Sequence, residues 1–237
     1  MKINILTLFP EMFPGCLGCS LAGKALADGK FQLNVVNIRD FATDHYKTVD
    51  DTPFGGGAGM VMKAEVIDRA LSSLSNPKPV FYLSARGKTF CQQMAHQWAE
   101  SDEMTFLCGR FEGVDERVIE KWQMQEVSIG DIVLSGGEPA LLTMLDATIR
   151  LIPGVMGNKE SQKEESFENG LLEYPQYTKP QVWEGREVPA VLLSGNHAQI
   201  KRWRQQLSEN LTKTRRPDLW DMYLVNHKQG VKNDKLN

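Results

Sequence analysis

Short apolar segments alternate with segments of helical periodicity along the first 157 residues. The apolar segments are rich in Ile, Leu, Val and Phe and predict β-strands at 3–9, 31–38, 79–84, 104–108 and 126–129. Apolar residues at helical spacing predict α-helices at 64–74, 90–100, 114–122 and 138–151. Pro14, Gly15, Gly18 and Gly23 interrupt a helix-forming composition, so residues 11–28 are expected to form short helices.

This alternation of strands and helices is typical of an α/β sheet with mostly parallel strands. In such sheets, ligands bind at the loops that leave the carboxyl ends of the strands. Three segments follow predicted strands in this way, at 82–86, 109–113 and 129–137. We therefore expect these three segments to line one pocket.

The third of these segments lies in the stretch on which the prediction depends most, S-I-G-D-I-V-L-S-G-G-E at 128–138. Gly130, Gly136 and Gly137 surround the apolar run 132–134, and a predicted helix follows. Glycine permits positive φ and the close approach of a ligand to the backbone. Main-chain N–H and C=O groups could then hold a flat, polar small molecule. Two tight turns around a buried strand would explain the same pattern.

A second glycine-rich loop, K-T-V-D-D-T-P-F-G-G-G-A-G-M, occupies residues 47–60. It lacks the G-K-[ST] ending that places a lysine and a hydroxyl on phosphate and magnesium, so a P-loop is only weakly supported. The first predicted strand is not followed by a G-x-G fingerprint, which disfavours a Rossmann-type domain.

The pattern changes after Gly157. Residues 158–170 are polar and charged, which is typical of a flexible linker. Ser194-Gly195-Asn196 predicts the cap of a helix at 197–207, and another helix is expected at 217–224. We therefore predict a domain at 1–157, a linker at 158–172 and a small, mostly helical domain at 173–237.

Composition is that of an ordinary globular chain, with 41% hydrophobic and 24% charged residues among 237. No apolar run approaches the roughly 18 residues of a membrane span, and the first residues lack the apolar region of a signal peptide. The cytoplasm is the expected location, without a membrane partner. The four cysteines have no His pair to complete a zinc set, so neither a metal cage nor disulfides are expected.

The net charge of −3 conceals an asymmetry. Residues 195–237 contain nine basic and four acidic side chains, which leaves the rest of the chain strongly acidic. A basic end on an acidic body suggests that the end meets phosphate. A solvated, charged helix is the alternative explanation.

Several motifs together closely resemble the bacterial tRNA (guanine-N1) methyltransferase family. The resemblance covers nearly the whole chain in order. Its segments are L-F-P-E-M-F at 8–13, the loop at 47–60, C-G-R-F-E-G-V-D-E-R at 108–117, the stretch at 128–138, P-G-V-M-G at 153–157, E-S-F-E-N-G-L-L-E-Y-P-Q-Y-T-K-P at 165–180, W-R at 203–204 and R-R-P-D-L at 215–219.

The resemblance implies a SPOUT-type α/β domain with a deep trefoil knot, assembled as a homodimer. It implies S-adenosylmethionine as methyl donor and tRNA with guanosine at position 37 as substrate. Carried over residue by residue, donor contacts fall on Tyr82, Leu83, Ser84, Gly109, Ile129, Gly130, Asp131, Ile132, Val133, Leu134, Gly136 and Gly137.

The same resemblance assigns the chemistry. Guanine N1 carries a proton at neutral pH, so a base must remove it, and charge that develops on O6 needs a cation. The family's base corresponds to Glu165 and its O6 partner to Arg150. Other members have Asp at the base position, which leaves Glu164 and Glu168 as alternatives.

Further roles follow from the resemblance. Glu112 is linked to a magnesium requirement and Glu173 to a contact with donor or tRNA, while Phe111 stands where many members have Tyr. The basic residues expected to meet tRNA phosphates are Lys201, Arg202, Arg204, Lys213, Arg215 and Arg216. Without the resemblance, Arg150 would be explained as a helix C-terminal cation and the linker glutamates as a solvated charge run.

Two other classes of function remain as alternatives. A nucleotidyltransferase or kinase could use Gly55–Gly59 for phosphate, and ATP binding would identify it. An RNA-binding protein without catalysis would bind tRNA and transfer no methyl group.

Overall fold

The computed structural model describes residues 1–157 and 164–233, with side chains described as far as Asn226. The chain divides into two compact units, Met1–Gly157 and Asn158–Asn237. Residues 158–163 of the predicted linker and residues 234–237 lie outside the described residues. Among the helices that the structure describes, none combines the length and apolar character that crossing a membrane requires.

The first unit is built on a five-stranded sheet in which every pairing is parallel. Its strands are β1 (Lys2–Thr7), β2 (Gln32–Asn37), β5 (Val80–Thr89), β6 (Glu103–Cys108) and β7 (Gln125–Ser128). They are arranged in the order β2-β1-β6-β5-β7. Two short strands, β3 (Asp50–Asp51) and β4 (Val61–Met62), form a separate antiparallel pair. The predicted α/β class with a mostly parallel sheet is therefore confirmed, while the trefoil knot stays a prediction.

Helices follow the strands much as the periodicity predicts. The segment after β1 forms 3₁₀ turns at Pro10–Met12 and Gly15–Gly18 and then α1, so the expected short helices are present. The helices are α1 (Ser20–Ala27), α2 (Ala64–Ser72), α3 (Gln92–Ala99), α4 (Glu116–Trp122) and α5 (Gly137–Ile149).

Two apolar cores cover the two faces of the sheet, because neighbouring residues of a strand point to opposite faces. Ile3 and Ile5 of β1 belong to one core, together with residues of α1, α3 and α5. Leu6 of the same strand belongs to the other core, with residues of α2 and α4. A parallel sheet buried on both faces leaves its ligand loops at the strand ends.

Strand β5 is longer than predicted. The expected strand ended at Ser84 with a loop at 82–86, whereas β5 continues to Thr89 across an irregularity between Leu83 and Lys88. Pairing with β7 resumes at Lys88 and Thr89. A Cβ on Gly87 would lie 2.3 Å from the backbone nitrogen of Val127, so this approach of the two strands requires glycine.

The second unit is mostly helical. It contains a two-stranded pair, β8 (Val182–Trp183) with β9 (Arg186–Glu187), and the helices α6 (Ala190–Leu193), α7 (His197–Arg215) and α8 (Pro217–Asn233). The predicted ends of α7 at 207 and of α8 at 224 are too early. Helix α7 continues past Leu207 because Leu211 extends its apolar spacing. Ser208 and Thr212 are also buried there, and the Thr212 hydroxyl donates to the Ser208 carbonyl and accepts from the Leu172 amide.

Candidate functional site

A cavity of about 400 Å³ lies at the carboxyl ends of β6 and β7 and beside the irregularity within β5. Its volume is within the range of small-molecule sites. The three predicted segments meet there, as expected for adjacent strands. Residues from all three segments line it: Tyr82, Leu83, Ser84, Ala85, Arg86, Gly109, Arg110, Phe111, Glu112, Gly113, Val114, Val127, Ser128, Ile129, Ile132, Val133, Leu134, Ser135, Gly136, Gly137 and Ala140.

Ten of the twelve predicted donor residues line this cavity, and Gly130 and Asp131 do not. Asp131 is exposed. Gly130 forms the turn that precedes the cavity wall, with φ of +139°. The Ser128 hydroxyl donates to the Gly130 carbonyl at 3.0 Å and accepts from the Gly130 amide at 3.1 Å. These two bonds fix the direction in which the chain enters the wall.

The wall itself is an apolar run with little cover of its own. Ile132, Val133 and Leu134 are all exposed, and Val133 is 93% exposed. The buried strand that would also explain the sequence pattern is not formed at 132–134, because β7 ends at Ser128 and a turn follows it. The apolar side chains and backbone groups of the run are thus available to a ligand.

Two glycines leave no room for a side chain beside the cavity. A Cβ on Gly109 would lie 2.7 Å from Cε2 of Tyr82. A Cβ on Gly137 would lie 2.9 Å from Cα of Cys108 and 3.0 Å from Cβ of Leu83. The backbone therefore forms the floor of the cavity.

Tyr82 contributes a neutral hydroxyl to this floor. Its side chain is buried, and burial together with the negative charge of Glu126 raises the pKa of the phenol. The hydroxyl consequently keeps its proton at neutral pH and can donate it.

Arg86 is held at the rim by two carboxylates. Its guanidinium contacts Glu116 at 3.0 Å and Glu126 at 3.1 Å, and these hydrogen bonds raise the pKa of the arginine further. Arg86 lies in the predicted loop segment at 82–86, where its sequence context alone indicates no role.

Arg110 and Glu138 form a buried ion pair that the sequence analysis missed. Arg110 Nη2 lies 2.8 Å from Glu138 Oε2, and the Glu138 side chain is 0% exposed. Within the described part of the chain, neither Arg110 Nε nor Glu138 Oε2 has a well-aligned hydrogen bond, so the pair is an ionic contact. Its only sequence signal is an arginine after a strand and a glutamate in the first turn of a helix.

Glu112 also lines the cavity, next to the second glycine-rich loop. A Cβ on Gly59 would lie 2.3 Å from Cγ of Glu112, and the Glu112 amide donates to the Met60 carbonyl at 2.9 Å. Phe111 beside it adopts a φ of +58° and is half exposed. Wherever the structure describes the chain, no group of three His, Cys, Asp or Glu side chains could hold a metal ion, so a magnesium ion at Glu112 would need water or substrate oxygens as further ligands.

The predicted catalytic residues lie in different units. Arg150 follows α5 as its C-cap. Glu165 belongs to a set of hydrogen-bonded turns at 164–172, in which its carbonyl accepts from the Glu168 amide at 3.4 Å. In the same segment, the Ser166 hydroxyl accepts from the amide of Glu173 at 2.9 Å. Glu173 in turn accepts a hydrogen bond from Gln176.

The predicted tRNA-contact residues differ in their freedom to meet a phosphate. Lys201, Arg202, Lys213 and Arg215 on α7 are exposed. Arg204 lies against Glu164 and over the ring of Tyr174, 4.7 Å from its centroid. Arg216 donates two hydrogen bonds to Asp218, at 2.9 and 2.6 Å.

Comparison with known proteins places the chain in a family. The sequence model described as tRNA (Guanine-1)-methyltransferase TrmD matches residues 1–222. The chain is 57% identical over 226 residues to the tRNA (guanine-N(1)-)-methyltransferase of Brucella ovis, and the match covers 95% of this chain and 94% of that relative. A relative of the same name from Brucella suis shares 57% identity over 226 residues, with 95% and 93% covered. The chain therefore belongs to the tRNA (guanine-1)-methyltransferase family.

Proposed function

We propose that the protein transfers a methyl group from S-adenosylmethionine to N1 of guanosine at position 37 in tRNA. The observation that carries the proposal is the cavity at the ends of β6 and β7 and beside residues 82–86 of β5, whose lining lies within the residues 1–222 that the family model matches. The relatives are named for methylation of guanine N1 in tRNA, and they cover nearly the whole chain.

The cavity fits the donor. Its floor of Gly109 and Gly137 backbone brings main-chain groups close to a ligand. The apolar side chains of Ile132, Val133 and Leu134 can cover an adenine ring, and the Tyr82 and Ser84 hydroxyls add polar contacts. Gly130 and Asp131 would act from outside the cavity, by shaping the turn. When bound, S-adenosylmethionine supplies an electrophilic methyl group on its sulfonium.

Glu165 is proposed as the base that takes the N1 proton. Glu164 is one alternative candidate, and one of its oxygens accepts a hydrogen bond from Tyr174 and faces Arg204. Glu168 remains the other candidate. Arg150 is proposed as the cation that stabilises the charge developing on guanine O6.

The tRNA is proposed to meet α7. Lys201, Arg202 and Arg215 present exposed cations to phosphates, and Arg204 and Arg216 would join them by leaving their carboxylate partners. Glu173 is proposed as a polar contact with tRNA.

We also propose that the protein forms a homodimer, is located in the cytoplasm and binds a magnesium ion at Glu112.

Transfer of labelled methyl from S-adenosylmethionine to two tRNA transcripts tests this function. One transcript carries guanosine at position 37 and the other adenosine, and the two are otherwise identical. We expect label in the guanosine transcript alone. Equal label in both transcripts, or tRNA binding without any label, would contradict the proposal.

ATP binding provides a test of the alternative class. A kinase or nucleotidyltransferase using Gly55–Gly59 would bind ATP more tightly than S-adenosylmethionine. Calorimetric titration of the two ligands is expected to show the opposite order.

A further inference from the structure

The end of the cavity wall, at residues 135–137, is hydrogen-bonded to the two residues that follow β6. The Gly137 amide donates to the Gly109 carbonyl at 3.0 Å. One residue further on, Arg110 Nη1 donates to the Ser135 carbonyl at 3.0 Å. Two successive residues after β6 therefore hold residues 135–137, at the start of α5.

The arginine that makes this contact is itself fixed on several sides. Its side chain is only 14% exposed. The guanidinium lies 4.3 Å from the centroid of the Phe9 ring, and Nη2 lies 3.6 Å from the Met12 sulfur. The same nitrogen faces Glu138 at 2.8 Å. Stacking, ionic contact and burial leave the guanidinium a single arrangement.

Glu138 is fixed in turn from β1. The Thr7 hydroxyl donates to Glu138 Oε1 at 2.6 Å, and Thr7 is fully buried. The two residues are 131 positions apart in sequence. A buried carboxylate is stable when it is paired and hydrogen-bonded. Glu138 therefore links β1 to Arg110: its carboxylate is fixed by Thr7 and in turn fixes the Arg110 guanidinium.

The backbone at Gly136 leaves no room for a side chain. A Cβ on Gly136 would lie 2.2 Å from Arg110 Nε and 2.5 Å from Cδ. The guanidinium therefore packs directly on the backbone between Ser135 and Gly137. A backbone segment covered in this way cannot move outward unless Arg110 moves as well.

We propose that Arg110 is a positioning residue, which uses Glu138 and Thr7 as anchors to hold residues 135–137 in the donor-binding shape before the donor arrives. The inference rests on the proposed function in taking S-adenosylmethionine as the ligand of this cavity. Holding a loop in its bound shape improves affinity because less conformational freedom is lost on binding. Arg110 acts through the Ser135 backbone, and its effect belongs to donor binding.

Arg110→Lys is the variant that separates positioning from charge. Lysine keeps a cation for Glu138, but its single ammonium cannot reach Glu138 and the Ser135 carbonyl in the fork geometry of arginine. We expect the Kd for S-adenosylmethionine, measured by calorimetry, to rise roughly tenfold or more. The KM for donor should rise in parallel, while kcat at saturating donor and the Kd for tRNA stay close to wild type.

Arg117→Lys is the matched control, since Arg117 pairs with Asp115 on the surface and does not line the cavity. Its donor Kd should equal that of wild type. An Arg110→Lys protein that binds donor as tightly as wild type would overturn the inference. A wild-type protein that binds no S-adenosylmethionine would instead contradict the proposed function.

Hydrogen exchange of the donor-free protein tests the loop without any ligand. In wild type, the Gly137 amide should exchange far more slowly than the amides of the exposed loop 55–57, and Arg110→Lys should accelerate exchange across 130–137. If Arg110→Lys does not fold, the comparison of Gly137 with loop 55–57 in the wild-type protein is the test of the inference. Exchange of Gly137 as fast as that of loop 55–57 would overturn the inference.

Discussion

The Tyr174 hydroxyl donates a 2.5 Å hydrogen bond to Oε2 of Glu164. Arg204 Nη1 lies 3.5 Å from the same oxygen, and its guanidinium covers the Tyr174 ring. Burial and the neighbouring Glu164 raise the pKa of Tyr174, so its hydroxyl retains the proton that it donates. Glu164 is therefore held by Tyr174 and Arg204 at the position directly before Glu165.

Replacement of Glu165 and Glu168 by glutamine is expected to give unequal losses. Glu165→Gln removes the proposed base and should lower the single-turnover rate of methylation by roughly 10²–10⁴-fold. Glu168→Gln, the matched control, should stay near the wild-type rate. The measurement uses saturating donor and tRNA, so that binding does not contribute. A wild-type rate in Glu165→Gln together with a large loss in Glu168→Gln would assign the base to Glu168.

Gly109→Ala is expected to weaken donor binding. The new Cβ would lie 2.7 Å from the Tyr82 ring, which must then shift into the cavity or away from its buried position. We expect the Kd for S-adenosylmethionine to rise by roughly tenfold or more, as a displacement of packed atoms costs about 1–3 kcal/mol. Gly157→Ala is the control, because a Cβ there meets no described atom within 4 Å, its φ is not positive, and the residue lies outside the cavity lining. Equal affinities in the two variants would show that the ligand does not use this floor.

Much of this floor was predictable from local sequence. Strand and helix periodicity located the sheet to within a few residues, because the alternation of buried and exposed positions is a local property. The three loop segments then met in one cavity because parallel strands end at one edge. The glycines in these segments indicated where the backbone itself forms the floor of the cavity.

Other parts depend on contacts between residues distant in sequence. The extension of β5 to Thr89 follows from its pairing with β7 and from the space that Gly87 leaves. Near the end of α7, the Thr212 hydroxyl accepts a hydrogen bond from the distant Leu172 amide. The ion pair of Arg110 with Glu138 needs the folded sheet to bring Thr7 to the carboxylate. Periodicity carries no signal for the β5 extension or the ion pair, whereas Leu211, four residues after Leu207, does continue the apolar spacing of α7.

The salt dependence of tRNA binding tests the proposed role of α7. Arg215 is exposed at the end of this helix. Arg215→Ala should weaken tRNA binding and reduce the slope of log Kd against log salt concentration by about one unit, because one phosphate contact is lost. Arg117→Ala in the first unit is the control and should leave the slope unchanged. An unchanged slope in Arg215→Ala would show that Arg215 does not contact a tRNA phosphate.

Asp68 should make stability depend on pH in the acid range. Lys121 Nζ lies 2.6 Å from its Oδ1 and Trp122 Nε1 donates to the same oxygen, and these contacts lower the pKa of Asp68 below its ordinary value of 3.8. The folded protein therefore binds this proton less readily than the unfolded chain does. The stabilisation is fully present above the pKa that Asp68 has in the unfolded chain. It is lost as pH falls through the lower pKa that Asp68 has in the folded protein.

Asp68→Asn should lower the free energy of unfolding by about 1 kcal/mol near neutral pH. The difference from wild type should shrink as pH falls below 3.8. Urea titrations over a pH series measure it, with Asp221→Asn, an exposed position on α8, as control. A difference that grows toward low pH would contradict the assignment.

Identification of the methylated atom tests the proposed methyl transfer most directly. Unmodified tRNA transcript with guanosine at position 37 is incubated with the protein and S-adenosylmethionine, digested to nucleosides and analysed by mass spectrometry against methylguanosine standards. We expect 1-methylguanosine as the product, at one residue per tRNA, and its absence from the adenosine transcript. Methylation at another atom of guanine, or no methylated nucleoside from a protein that binds both tRNA and donor, would contradict it.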